Sequence, residues 1–129
     1  MKYGKIQAPC SAYQGKVVVS GGRGESGHLS VVEAYDHIVD EWVEMLCMIN
    51  ARYNHSQVSM KNKLFVIGGG SKSCEVYHCN CQKFELISKP MKSYQSNCIK
   101  TYKVLSVGKN IFVYDSYSKT YSYYDVEKD

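Results

Sequence analysis

Val17-Val18-Val19-Ser20-Gly21-Gly22 and Phe65-Val66-Ile67-Gly68-Gly69 are two copies of one pattern, an apolar run closed by a glycine pair, with 47 residues between Gly21 and Gly68. Each copy is followed by an acidic-aromatic segment, Glu33-Ala34-Tyr35-Asp36 and Glu75-Val76-Tyr77-His78, and then by one large aromatic residue, Trp42 and Phe84. A period near 50 with a strand, two glycines and a downstream aromatic marks a repeated four-stranded unit.

The same offset places Gly15 to Ser20 over Asn62 to Ile67 and reaches a third copy, Lys109-Asn110-Ile111-Phe112-Val113-Tyr114, with Asp115-Ser116 where the glycines stood. Tyr35 to Tyr77 is 42 residues and Tyr77 to Tyr124 is 47, a variation that surface loops tolerate and strands do not. Each unit reads as four strands, a to d. Strand a lies near Ala12-Tyr13, Val58 to Met60 and Tyr102 to Val107; strand b precedes the glycines; strand c holds Glu-x-Tyr-Asp; strand d follows with the aromatic. Lys61-Asn62-Lys63 and Gly108-Lys109-Asn110 are tight hairpin connections. Consecutive apolar residues in strand b predict a strand covered on both faces. Trp42 and Phe84 are expected to fill the gaps between units, and Trp42→Ala to cost about 3–5 kcal/mol if that burial is complete.

These features predict an all-β chain, part of a β-propeller of four-stranded antiparallel blades, because a ring of about four to eight blades exceeds what 129 residues hold. The repeats span about residues 8–51, 52–95 and, incompletely, 96–129. Hydrophobic residues make up 44% and charged residues 22%, a globular balance. No apolar run has transmembrane length and the N-terminus lacks a signal-peptide core, so the expected compartment is the cytoplasm, with no membrane partner. The net charge of +4 is unevenly divided, eleven basic against six acidic residues over 61–129, but the lysines are scattered singly, without the stripe that nucleic-acid binding needs. Six cysteines follow neither the repeat nor a staple spacing and are read as free thiols.

The chain resembles kelch repeats, whose motif runs from an apolar strand and Gly-Gly through a loop to Glu-x-Tyr-Asp, Trp, Met and Arg. Val17 to Gly22, Glu33 to Asp36, Trp42, Met48 and Arg52 supply it in the first unit; the second has Gly68, Gly69, Glu75, Tyr77 and Met91, with Phe84 for Trp and Gln95 at the Arg position. The third keeps its strand and Tyr124-Asp125. It looks most like the kelch half of BTB-kelch proteins. That resemblance implies a protein-interaction module that selects clients for ubiquitination, with a cullin engaged only through a BTB domain outside these 129 residues. An actin-binding kelch scaffold is the alternative, and no catalytic residue or cofactor is expected.

The resemblance also points to the loops of one face as the docking site: Arg23, Glu25 and His28; Arg52, Tyr53 and Asn54; Ser71 and Lys72; Tyr94 and Gln95. Arg52 matches the arginine that in such receptors faces the client, where a guanidinium suits carboxylates; the alternative is that it pairs with a neighbouring blade. Gly21, Gly22, Tyr35, Trp42, Gly68, Gly69, Tyr77 and Phe84 are the structural repeat residues.

Gly22-x-Gly-x-x-Gly27 formally matches a dinucleotide fingerprint, but the β-branched residues that follow give no helix to face a pyrophosphate, and a flexible b–c loop is expected. Cys74, His78, Cys79 and Cys81 are the densest potential zinc ligands, yet a closed site needs four convergent ligands and usually Cys-x-x-Cys spacing, which this cluster lacks, so no metal is assigned. Lys72 and Lys83 beside them would favour a redox-sensitive thiolate, with nothing to select one cysteine. Asn54-His55-Ser56 is a sequon, discounted without a secretory signal. The Tyr114 to Tyr124 run reads as a b–c segment alternating aromatic and polar residues. A partial ring leaves two apolar faces uncovered, so the isolated chain is expected to associate or to be poorly soluble.

Overall fold

The computed structural model describes residues 1–69, 73–87 and 102–127, and the described residues contain strands and no helix. The first sheet has β1 (Cys10–Tyr13), β2 (Lys16–Ser20), β5 (Val32–Asp36) and β6 (Glu41–Met45) in that order, with a small ribbon, β3 (Arg23–Gly24) and β4 (Gly27–His28), inserted between β2 and β5. The second joins β7 (Ser56–Met60), β8 (Lys63–Ile67), β9 (Cys74–His78) and β10 (Lys83–Ile87). The third holds β11 (Tyr102–Val107), β12 (Asn110–Asp115) and β13 (Thr120–Asp125). All pairings are antiparallel and follow chain order within each sheet, the β3–β4 ribbon aside, so each sheet is a meander.

Turn chemistry sets the register. Tyr13 opposes Lys16 and Met60 opposes Lys63, leaving two-residue loops. Gln14 and Gly15 have φ of 49° and 74°, Lys61 and Asn62 of 49° and 58°, the twice-positive geometry that matches strand twist.

The sheets meet through their first strands, β7 lying against both β1 and β11. Gln57 Nε2 donates to Ser11 Oγ at 2.7 Å, Ser59 Oγ to the Ala12 carbonyl and Ser56 Oγ to the Tyr102 carbonyl. Two apolar seams follow. Tyr13, Val18, Val32, Ala34 and Met48 pack on Leu64, Val66, Tyr77 and Phe84. Val58, Met60, Phe65, Ile67, Cys74 and Val76 pack on Tyr102, Ile111, Val113, Tyr124 and Val126. The architecture is a partial β-propeller.

Two expectations need correction. Double-sided burial of strand b holds only for β8, where Leu64 to Ile67 are all buried; Val17 of β2 is 44% exposed, and Phe112 and Tyr114 of β12 are exposed. Among the described residues, the middle sheet alone has a neighbouring sheet on each face. For the same reason Phe84 is buried while Trp42 is half-buried, leaning on Tyr35 with ring centroids 5.2 Å apart on the outer face of the first sheet.

Candidate functional site: the loop rim of the first two blades

The b–c loop of the first blade is an ordered β-ribbon, not the flexible loop expected: Arg23 pairs with His28 and Gly24 with Gly27 around Glu25-Ser26. No helix follows the glycines, so the fingerprint geometry is absent there. The ribbon is laced to the connection between the first two blades. Gly22 N donates to the Arg52 carbonyl at 2.9 Å, Arg52 N to the Leu29 carbonyl at 3.1 Å, and Met48 N to the Ser30 carbonyl at 2.9 Å. The N-terminal segment adds reciprocal bonds between Ile6 and Arg23, and Asn54 N donates to the Gln7 carbonyl at 2.9 Å. These backbone bonds hold the rim rigidly on the two sheets.

On that rim Arg23, Glu25 and His28 are exposed and Tyr53 and Asn54 half-buried, with the His28 and Tyr53 rings 4.2 Å apart. Leu46 and Ile49, on the same connection as Tyr53, are exposed by more than half and are apolar contact candidates that motif matching passed over. Their signal is plain only once β6 is seen to end at Met45. Ser71, Lys72, Tyr94 and Gln95 lie outside the described residues.

Arg52 is not on the rim surface. It is fully buried, and its guanidinium donates from Nη1 to the carbonyls of Gly68 at 2.9 Å and Ser73 at 2.6 Å, and from Nη2 to Ser73 Oγ at 3.1 Å and Glu75 Oε1 at 2.6 Å. Glu75 also accepts from the amides of Ile49 and Asn50. Its placement as an exposed client contact is therefore corrected, because pairing with the neighbouring blade occupies it. Glu33, at the Glu75 position of the first blade, accepts from the Lys2 amide at 2.8 Å and pairs with Lys5 Nζ at 2.8 Å. Burial alone would raise the Glu33 carboxyl, but Lys5 and the Lys2 amide hold it below the usual carboxylate range.

A polar cluster lies behind the rim. His55 Nε2 and Ser20 Oγ are 2.9 Å apart, Ser20 Oγ donates to Gln57 Oε1, and Gln57 Nε2 donates to the Val18 carbonyl at 2.9 Å. Burial, with Arg52 nearby, pushes His55 down to about 3, so the imidazole is neutral in the fold and serves packing.

The cysteine cluster splits. Cys74 is buried in the second seam, where desolvation pushes its thiol up to about 11; Cys79 is half-buried, accepting from Gln14 Nε2 at 2.8 Å, and Cys81 is exposed. Among the described residues no three His, Cys, Asp or Glu side chains converge on a metal-sized site. Lys83 is taken up by Glu85 at 2.6 Å.

A family profile described as "Kelch motif" matches residues 7–48. "Kelch-like protein 25" of Rattus norvegicus is 31% identical over 119 residues, covering 81% of this chain and 19% of that protein. "Kelch-like protein 7" of Rattus norvegicus is 32% identical over 91 residues, covering 66% of this chain and 14% of its own length. "Kelch-like protein 25" of Xenopus tropicalis is 40% identical over 63 residues, 48% of this chain and 11% of that protein. The chain thus spans a fifth or less of the curated relatives it matches.

Proposed function

The blades are kelch repeats and the chain is kin to the kelch-like proteins, and from that premise we propose that its rim docks a protein client as the substrate-selecting part of a cullin-dependent ubiquitin ligase adaptor. The partition into repeats at about residues 8–51, 52–95 and 96–129 belongs to this reading, as do a non-catalytic role and a cytoplasmic setting. One observation carries the docking surface: Arg23, Glu25, His28, Leu46 and Ile49 stand outward, with half-buried Tyr53 against His28, on segments fastened to two blades, while Arg52 and Glu75 are consumed in fastening them. Rigid support with solvent-facing aromatic, charged and aliphatic tips is what a protein interface uses.

The experiment compares proteins captured by the chain with those captured by an Arg23→Glu, His28→Ala, Tyr53→Ala variant whose circular dichroism is unchanged. A client retained by the first and lost by the second supports the reading, and its ubiquitination should rise when the blades are joined to a BTB domain. Equal capture by both forms removes the rim as the docking surface. Co-sedimentation with actin filaments would move the assignment to a cytoskeletal scaffold.

A further inference from the structure

Three hydroxyl residues of this chain stand three places after a basic residue: Ser26 after Arg23, Ser106 after Lys103 and Ser122 after Lys119. Serine kinases that read a cation at this spacing bind the acceptor segment extended, with the cation paired to carboxylates of the kinase groove, and a guanidinium suits that pairing best. The fold separates the three. Ser106 and Ser122 lie inside β11 and β13, paired with Ile111 and Val113 in the ladder of the third sheet. Ser26, the one that follows an arginine, is exposed in the two-residue turn between β3 and β4 on the rim.

The ribbon presents that turn. Its feet are fastened, by Gly22 N to the Arg52 carbonyl, by Leu29 N to the Gly22 carbonyl and by the reciprocal bonds of Arg23 with Ile6. Beyond those feet only the Gly24 and Gly27 pair closes the tip, and among the described residues no backbone bond ties residues 24–27 to anything outside the ribbon. A Cβ at Gly27 would meet nothing within 4 Å. The tip therefore opens into a kinase groove without disturbing either blade, which Ser106 and Ser122 cannot do. Ser56 and Ser59 give their hydroxyls to carbonyls across the seams, whereas Ser26 Oγ has no hydrogen bond among the described residues.

One residue pair behind the turn, Arg23 and His28 face each other across the ribbon, so both side chains leave it on the same face. Both are exposed, neither is ion-paired among the described residues, and the His28 ring rests 4.2 Å from that of Tyr53. We propose that Ser26 is the acceptor of an arginine-directed serine kinase and that Arg23 and His28 take up the phosphate once it is in place. Ser26 Oγ attacks the γ-phosphorus of ATP, the bond from that phosphorus to the β–γ bridging oxygen breaks, ADP leaves with the electron pair, and the hydroxyl proton passes to the kinase's base. Phosphoserine brings a charge of about −1.5 to −2 and three acceptor oxygens, and a guanidinium binds such a group through two parallel bonds. With Glu25 beside it, the tip then changes from a basic pair to a net negative surface. Through the docking role proposed above, on which this consequence rests, the change releases the client.

Incubation of the chain with magnesium, ATP and the catalytic subunit of cyclic-AMP-dependent protein kinase, an arginine-directed enzyme, tests the site. Tandem mass spectrometry should place one phosphate on Ser26 and none on Ser106 or Ser122. Ser26→Ala should abolish incorporation and Arg23→Ala should slow it about tenfold, both with unchanged circular dichroism because the side chains are exposed. In phosphorus NMR the second ionisation of the phosphoserine should fall at lower pH in the folded chain than in a synthetic phosphopeptide of residues 20–30, since the paired basic groups favour the dianion, and His28→Ala should move it towards the peptide. No incorporation, incorporation that survives Ser26→Ala or ignores Arg23→Ala, or a titration equal to the peptide's would overturn the proposal. A phosphorylated chain that still holds a client lost by the Arg23→Glu, His28→Ala, Tyr53→Ala variant would overturn the release and leave the docking role standing.

Discussion

Arg52 and Glu75 form an ion pair of 2.6 Å between Nη2 and Oε1 with both side chains fully buried. Two charges removed from water are tolerated where most of their remaining hydrogen-bonding groups are met, and here Gly68, Ser73, Ile49 and Asn50 serve both Arg52 Nη atoms and both Glu75 oxygens, leaving only the Arg52 Nε unmatched. The pair ties the connection entering the second blade to the ends of β8 and β9. It explains why a residue that resemblance assigns to a client is sequestered in this chain.

Lys5 does the same for Glu33 at the entrance to the first blade. Lys5→Met should leave Glu33 buried without its cation and destabilise the chain by about 3 kcal/mol, since breaking a buried pair costs about 3–5 kcal/mol. Urea unfolding checks the midpoint, and the double variant Lys5→Met, Glu33→Gln should recover part of the loss.

His55 makes the first seam sensitive to acid. Its imidazole is held at about 3 in the fold against an ordinary value near 6.5, so the unfolded chain takes up a proton below pH 6.5 that the folded chain refuses until about pH 3. Stability is therefore full above pH 6.5 and declines through that window, by about 2 kcal/mol at pH 5. Unfolding curves at pH 7.5 and 5 should show this difference, and His55→Gln should shrink it.

The two aromatic wedge residues should separate in cost. Phe84→Ala opens a cavity in the first seam, a loss of about 3–5 kcal/mol, whereas Trp42→Ala should cost less than about half of that because Trp42 is half-buried. Thermal melts of the pair test it, and equal losses would mean that the outer face of the first blade is covered.

Glycine substitutions should divide by surroundings. Gly15 has a φ of 74° with open space around it, so Gly15→Ala carries only backbone strain of about 1 kcal/mol. At Gly69, with φ of 80°, a Cβ would lie 2.6 Å from the Tyr53 carbonyl, and Gly69→Ala should cost at least about 2 kcal/mol more. Chemical denaturation compares them.

Thiol labelling should follow burial. Cys74, pushed up to about 11 inside the second seam, should resist iodoacetamide at pH 8 while Cys10, Cys47 and Cys81 react. Mass spectrometry of the labelled chain reads this directly.

The blade architecture was legible in the sequence because Val17 to Gly22 and Phe65 to Gly69 repeat a strand-and-glycine pattern with few structural meanings. Tyr114 to Tyr124 likewise read as a strand pair, and β12 and β13 are that pair, with Tyr121 and Tyr123 outward and Tyr124 inward. The number of neighbours each blade has was not legible, since the pattern at Trp42 equals that at Phe84 while only Phe84 is covered. Arg52 was read from its family position, and the local sequence carries no trace of Gly68, Ser73 and Glu75 arriving around it from 16 to 23 residues away. A usable signal did exist: stepping back 47 residues from Arg52 lands on Lys5, another cation, ahead of Glu33. A basic residue recurring with a downstream glutamate marks a seam strut better than a client contact. The rim residues Leu46 and Ile49 carry no repeat signal at all, because tips free of packing are free to vary.

The central claim is that the recurring charged residues hold blades together and leave the rim tips for partners, and a double-mutant cycle on Arg52 and Glu75 measures it. Arg52→Met and Glu75→Leu should each destabilise the chain by about 3–5 kcal/mol, and the double variant by far less than their sum, because no buried charge is then left alone. Small, additive losses from the two single variants would contradict it.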